Sequence, residues 1–174
     1  MANFFTMIGA NLFAGNDAEG KFLTLEEIAL PEPTMMTENY APGGGKAEIQ
    51  VSMDMLEALE AGFNLRGEDP DIWPHFGLGS GRSETYTVLG EIKNKRNGRS
   101  VQGKAVLEAQ LGKIAGGSFK KGELRNYEYG LIEIFHYELY HDDRELFFWD
   151  LWTNALRVGG EDRNAITNSI LQIG

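Results

Sequence analysis

Apolar and polar residues alternate with period two over Lys46–Asp54, with Ile49, Val51 and Met53 on one side and Glu48, Gln50 and Ser52 on the other. That alternation predicts a half-buried β-strand. Thr85–Lys95 and Arg99–Leu111 are β-compatible runs joined through Asn97-Gly98, a dipeptide that takes up the positive φ of a tight hairpin turn. Tyr127–Tyr140 and Glu145–Trp152 read as a second hairpin around His141-Asp142-Asp143-Arg144, with Gly112–Gly122 before it as a basic, Gly-rich loop or edge. Lys21–Leu30 is expected to be extended and to stop at Pro31 and Pro33, since proline cannot donate to a central ladder.

Helix signals are shorter. Asp69–Gly77 combines an Asp cap, Pro70 at the first helical position, Ile72 and Phe76 four apart and a closing Gly, with Pro74 keeping the helix brief. Ile166 and Ile170 are also four apart, so the C-terminal segment 161–174 is expected to hold a short helix. Met55–Gly62 fits two readings. Its helix formers lie between Asp54 and Gly62, yet Leu59, Ala61, Phe63 and Leu65 share a strand face with Glu60, Asn64 and Arg66 opposite. Residues 1–20, ending in the turn-rich Ala14–Gly20, are expected to form an N-terminal arm and loop, and Tyr40–Gly45 is the most flexible point. The summed expectation is a mainly β, antiparallel single domain spanning 1–174 with one or two short helices.

Composition narrows the function. A chain of 174 residues can bury a core without staples, and its 22 Gly and 11% aromatics with only 5 Pro favour strands and turns over long helices. The absence of Cys excludes disulfides, thiolate metal sites, Fe–S clusters and a cysteine nucleophile. With 16 basic against 26 acidic residues the formal charge is −10, which argues against gripping nucleic acid, because affinity for phosphates comes chiefly from Lys and Arg. Met1–Ile8 lacks the basic region of a secretory signal, and no apolar run approaches the roughly 20 residues of a membrane span. The expectation is folding in the cytoplasm with no membrane partner.

Candidate chemistry is sparse. Gly43-Gly44-Gly45 and Gly77–Gly81 lack the spacing of phosphate-cradling loops, and Gly79-Ser80-Gly81 lacks the nucleophile elbow. Glu133 and His136, beside His141, Asp142 and Asp143, make the one metal-like group, but an odd separation puts the first two on opposite strand faces. Lys93, Lys95, Arg96 and Arg99 could touch phosphate, although a charged hairpin tip usually meets water or an acidic neighbour. No catalytic, cofactor or metal residues are assigned. Leu146–Trp152 is apolar on both strand faces, which fits either a strand covered on both sides by its own chain or one covered by another subunit.

The order of these signals resembles a known family. Asn11-Leu12-Phe13, Leu25–Pro31, the Tyr40–Gly45 loop, the Ala47–Met53 strand and Leu56-Glu57-Ala58 with Phe63–Gly67 carry the first half of the likeness. Tyr137–Tyr140, Glu145, Asp150 and Val158–Arg163 carry the rest, so it covers nearly the whole chain. Together they are similar to the major tail tube proteins of contractile-tailed bacteriophages. Phe147–Trp152 is unusually rich, and Ile170–Gly174 matches the family's ending only loosely.

The resemblance implies a β-sandwich or barrel-like fold with a flanking helix, in a non-enzymatic virion protein without a cofactor. It further implies six copies in a ring, rings stacked into a tube inside a sheath, and assembly in the host bacterial cytoplasm. Implied partners are the chain itself, the tail sheath, the initiator or baseplate and the terminator, with DNA only as passing cargo. Met55–Leu65 then turns towards strand. Glu48, Gln50, Ser52 and Glu60 would line the lumen, while Ile49, Val51, Met53, Phe63 and Leu65 fill the sandwich. Phe148, Trp149, Trp152, Tyr40, Gly43, Gly44 and Gly45 would sit at subunit contacts. Two alternatives stand beside this reading: the tube of a phage-like injection particle carrying effectors, and a monomeric barrel binding a small ligand between Phe148, Trp149 and Trp152.

Overall fold

The computed structural model describes residues 3–15, 19–79 and 81–173, so Met1, Ala2, residues 16–18 of the N-terminal turn stretch, Ser80 and Gly174 lie outside the described residues. The chain runs through β1 (Phe5–Ala14), β2 (Leu25–Ala29), β3 (Met35–Tyr40), β4 (Ile49–Leu56) and β5 (Ala61–Arg66). A single 3-10 turn at Pro70–His75 leads to β6 (Glu84–Asn94), β7 (Ser100–Gly116), β8 (Asn126–His141), β9 (Arg144–Asp150), β10 (Ala155–Val158) and β11 (Glu161–Asp162). Helix α1 (Ala165–Leu171) follows. Strand accounts for 56% and helix for 8%, and the helix reading of Met55–Gly62 fails: β4 continues to Leu56 and β5 begins at Ala61.

The main sheet is antiparallel in the order β1-β6-β7-β8-β9-β10-β11, and it forks at β8. The first part of β8, Asn126–Leu131, pairs with β5, which pairs in turn with β2. The second part, His136–His141, pairs with β9. At the fork Glu133 takes φ +48°, and the β7–β8 register shifts between Glu108 and Gln110 and again between Leu111 and Lys113. Such bulges bend a strand and increase its twist, so the β5 wing curls over until the Phe63 and Tyr86 rings are 6.4 Å apart. β2 pairs only with β5 and β1 only with β6, so among the described residues the curl is barrel-like but does not close.

The core fills this curl with Leu12, Phe63, Leu65, Tyr86, Val88, Leu107, Leu111, Tyr129 and Tyr137, all buried. Phe63 stacks on Tyr129 with centroids 4.8 Å apart. Gly62, immediately before it, permits that approach, because a Cβ there would lie 2.8 Å from the Tyr129 carbonyl oxygen. Burial holds the Tyr137 hydroxyl up at about 12, so it stays neutral at any physiological pH.

Several local expectations are corrected by pairing. Within the expected N-terminal arm 1–20, Phe5–Ala14 is the strand β1, which ladders onto β6 and buries Leu12 and Ala14. Its inward set Ala10, Leu12 and Ala14 is short and mostly small, and the register shifts between Met7 and Gly9, which hides the strand from the sequence pattern. The Gly-rich stretch from Gly112 is strand as far as Gly116, paired with β8, leaving 117–125 as loop. The short helix at Pro70–His75 forms as expected, with Asp69 Oδ1 accepting from the Asp71 amide at 3.1 Å and Ile72 plugged into the core. Asp69 also pairs with the buried Lys21 at 3.1 Å, tying the loop after β1 to this turn.

Candidate assembly surfaces

β3 and β4 form a two-stranded sheet of their own, apart from the main one. The register places Tyr40 opposite Ile49, Asn39 opposite Gln50, Glu38 opposite Val51 and Thr37 opposite Ser52. Residues directly opposite share a face. One face therefore carries Tyr40, Ile49, Val51 and Met53, with Glu38 as its one charged member, and the other Asn39, Gln50, Thr37 and Ser52. The apolar face does not fill the sandwich: Ile49, Val51 and Met53 are 55%, 42% and 45% exposed, whereas Phe63 and Leu65 are buried. The alternation is real, but the ribbon is a separate sheet, and among the described residues no other element covers its apolar face. Two-stranded ribbons are marginal in water by themselves, and contiguous exposed apolar residues mark interaction sites.

The expected lumen residues divide. Gln50 and Ser52 lie on the polar face of the ribbon, with Glu48 exposed just before β4. Glu60 is elsewhere, on the 57–60 link between β4 and β5, where it lines a 580 Å³ groove with Glu27, Glu32, Glu57 and Glu128. Gly43, Gly44 and Gly45 lie in the turn between β3 and β4, closed by the Gly45 amide donating to the Pro42 carbonyl at 2.9 Å. The sequence pattern passed over β3, since Met35-Met36-Thr37-Glu38-Asn39-Tyr40 has few β-branched residues; the period-two set Met36, Glu38, Tyr40 was its signal.

The aromatic residues of β9 also divide. Phe147 is buried against Tyr137, and Trp149 packs half-buried on the core. Phe148 points the other way and is covered within its own chain: the Arg157 guanidinium carbon lies 3.5 Å from its ring centroid, and His136 meets it edge-on at 5.1 Å. Trp152, beyond β9, is 69% exposed beside Phe135. Trp149 lines a 470 Å³ groove from which both Phe148 and Trp152 are absent, so the three form no common ligand pocket. Among the described residues the sheet is also not the closed barrel that the small-ligand alternative calls for.

Around Phe148 a charged network is satisfied internally. Arg157 donates to both carboxylate oxygens of Glu145 at 2.9 and 2.8 Å, and this bond holds Glu145 below the usual carboxylate range against the opposing effect of burial. His136 contacts Asp150 at 3.0 Å and Glu138 at 2.8 Å. Burial works to raise Asp150, but hydrogen bonds from Thr153 and His136 outweigh it and hold the carboxyl low. The metal-like cluster thus dissolves into these pairs: His136 turns to Asp150 and Glu138, while Glu133 occupies the bulge. Arg157 was not foreseeable as the cover of Phe148, because its contact depends on β10 folding back on β9.

The chain matches the family described as phage tail tube protein FII over residues 6–171. Among solved structures it is similar to an extracellular contractile injection system, the PVC sheath-tube complex in the extended state, at 11% identity and TM-score 0.52, covering 76% of this chain and 88% of that one. It is also similar to a chain of the anti-feeding prophage (AFP) baseplate, 6-fold symmetrised, at 12% identity and TM-score 0.50, covering 80% of this chain and 94% of that one. At such identities the two structures bear on the fold alone. No curated protein matches the chain significantly in sequence. With the match spanning nearly its whole length, the chain belongs to the phage tail tube protein FII family, a family of structural tail tube proteins.

Proposed function

We propose that this chain is a non-enzymatic structural subunit that self-assembles into stacked hexameric rings, forming the inner tube of a contractile phage tail through which DNA is ejected. The observation that carries the proposal is the β3–β4 ribbon, whose apolar face is left uncovered by a chain of the tail tube family. A neighbouring copy supplies the cover, and a heterologous contact of this kind closes into a ring or runs on as a filament. The 6-fold symmetrised baseplate with a similar chain supports six copies per ring.

In this assembly Glu48, Gln50 and Ser52 face the lumen while Tyr40, Ile49 and Val51 meet the neighbour, together with the exposed Trp152 and the Gly43–Gly45 turn. A wall from a chain of net charge −10 repels passing DNA and so lets it slide. The partners are further copies, the tail sheath, the baseplate or initiator and the terminator, and the tube resides in the virion tail after assembly in the host bacterial cytoplasm.

Electron microscopy of the concentrated protein, alone and with tail initiator, tests the reading. Rings or tubes are expected, and a chain that stays monomeric in both conditions overturns it. A second reading, a tube for an effector-carrying injection particle, is favoured by the injection systems among the similar structures. Head genes beside the tube gene select the DNA conduit, and their absence selects the injection particle.

A further inference from the structure

Two oppositely charged features lie at different ends of the long strand β7. Four of the chain's 16 Lys and Arg fall within residues 93–99, at the β6–β7 tip. The tip is held firmly: the Asn94 amide donates to the Arg99 carbonyl and the Gly98 amide to the Asn94 carbonyl, both at 2.8 Å. The Lys95 amide donates to the Phe4 carbonyl at 2.7 Å. The Asn94 and Asn97 side chains accept from the Arg96 and Arg99 amides, and Gly98 supplies the φ of +73° that the turn needs. Asn94 is itself buried and donates to the Asn3 side chain at 3.2 Å. Lys95 and Arg99 thus project, exposed, from a fixed base, and neither has an ion-pair partner among the described residues.

The acidic counterpart is the groove beneath the β2–β5 wing. Of its five glutamates, Glu27 accepts from Asn64 at 3.0 Å and Glu128 pairs with Lys113 at 2.7 Å. Glu32, Glu57 and Glu60 are exposed and meet no cation among the described residues. Glu128 is registered opposite Ala115, so tip and groove are separated by about 50 Å along β7, at roughly 3.3 Å per residue. One chain cannot bring the two together.

The geometry points to docking between copies: the basic β6–β7 tip of one subunit enters the acidic groove of the next. The match is one of charge and of preparation, since a tip already fixed loses little conformational freedom on binding. Because the two surfaces differ and lie far apart, the contact is heterologous, and in an open stack of rings it leaves the tips of one end ring and the grooves of the other unfilled. This deepens the tube reading and rests on it.

Charge exchange in the full-length chain tests it. Lys95→Glu with Arg99→Glu, and separately Glu57→Lys with Glu60→Lys, are each expected to leave thermal unfolding unchanged. Each is expected to raise the concentration needed for tube growth at least about tenfold. An equimolar mixture of the two variants, whose tips and grooves are again complementary, is expected to co-assemble near the wild-type concentration. Variants that grow tubes like the wild type, or a mixture no better than its components, overturn the docking while the tube reading stands. A wild-type chain that forms no tube fails the tube reading, and the docking falls with it.

Discussion

The main curled sheet and the β3–β4 ribbon obey the same alternation and have opposite fates. In β5 the inward residues Phe63 and Leu65 are buried, whereas in β4 the equivalent set Ile49, Val51 and Met53 stays exposed. A period-two pattern states that one face of a strand will be covered. It does not state which chain will do the covering. In a single-chain enzyme such a ribbon would be a hazard, but in a self-assembling subunit it is the half of an interface that folding leaves unfinished.

Cutting an equal piece from each region separates what the two contribute to folding. Leu65→Ala removes a fully buried side chain and is expected to destabilise the isolated subunit by about 2–5 kcal/mol, the usual cost of lost burial with an unfilled cavity. Val51→Ala is expected to shift it by no more than about 0.5 kcal/mol, as at other exposed positions. Urea unfolding of the unassembled chain measures both. Equal losses would mean that the ribbon is already packed in solution.

Assembly reverses the ranking. Val51→Asp places a carboxylate on the apolar face beside Glu38, its register partner, adding like-charge repulsion to lost apolar contact. Rings and tubes are expected to disappear, while the free subunit loses only the small cost of that like-charge pair, within about 1 kcal/mol. Sedimentation of the variant against the wild type reads the first, and urea unfolding the second.

What the sequence made legible follows the same division. The Asn97-Gly98 and His141–Arg144 hairpins, the capped turn at Pro70–His75 and the helix near Ile166 and Ile170 are all present, because each is specified by residues close in sequence. Features set by distant pairings were hidden. β1 became a strand because β6 lies beside it, and Phe148 lost its apolar exposure to Arg157, which β10 carries back from nine residues along. The fork in β8 was also invisible, since Glu133 at φ +48° looks in sequence like any residue of a strand. Among the surface residues, the alternation in β4 found the ribbon's two faces, but the position of Glu60 depended on where the 57–60 link folds.

In the main sheet, by contrast, the charge of Arg157 is satisfied internally by Glu145. Glu145→Gln weakens its bidentate bond, and a loss of about 1 kcal/mol is expected. The carboxyls of Glu145 and Asp150 are held low in the folded chain. Their contribution is therefore complete above the unfolded carboxylate values near pH 4 and is lost as pH falls through the lower folded values. Thermal unfolding between about pH 5 and pH 2 is expected to fall less steeply in Glu145→Gln than in the wild type. Identical slopes would show that the Arg157 bond does not lower the Glu145 carboxyl.

The smallest effect on the subunit belongs to Glu48. It is exposed just before β4 and has no ion-pair partner among the described residues, so Glu48→Lys is expected to leave folding stability within about 0.5 kcal/mol. If the polar face of the ribbon lines the lumen, tube assembly also persists, and the change appears only in passage. Cations added to each ring attract the DNA phosphates that the acidic wall repels, so ejection slows, and more so at low salt, where screening is weak. Loss of assembly with the same substitution would place Glu48 against a neighbouring subunit, and the two faces of the ribbon would have to exchange roles.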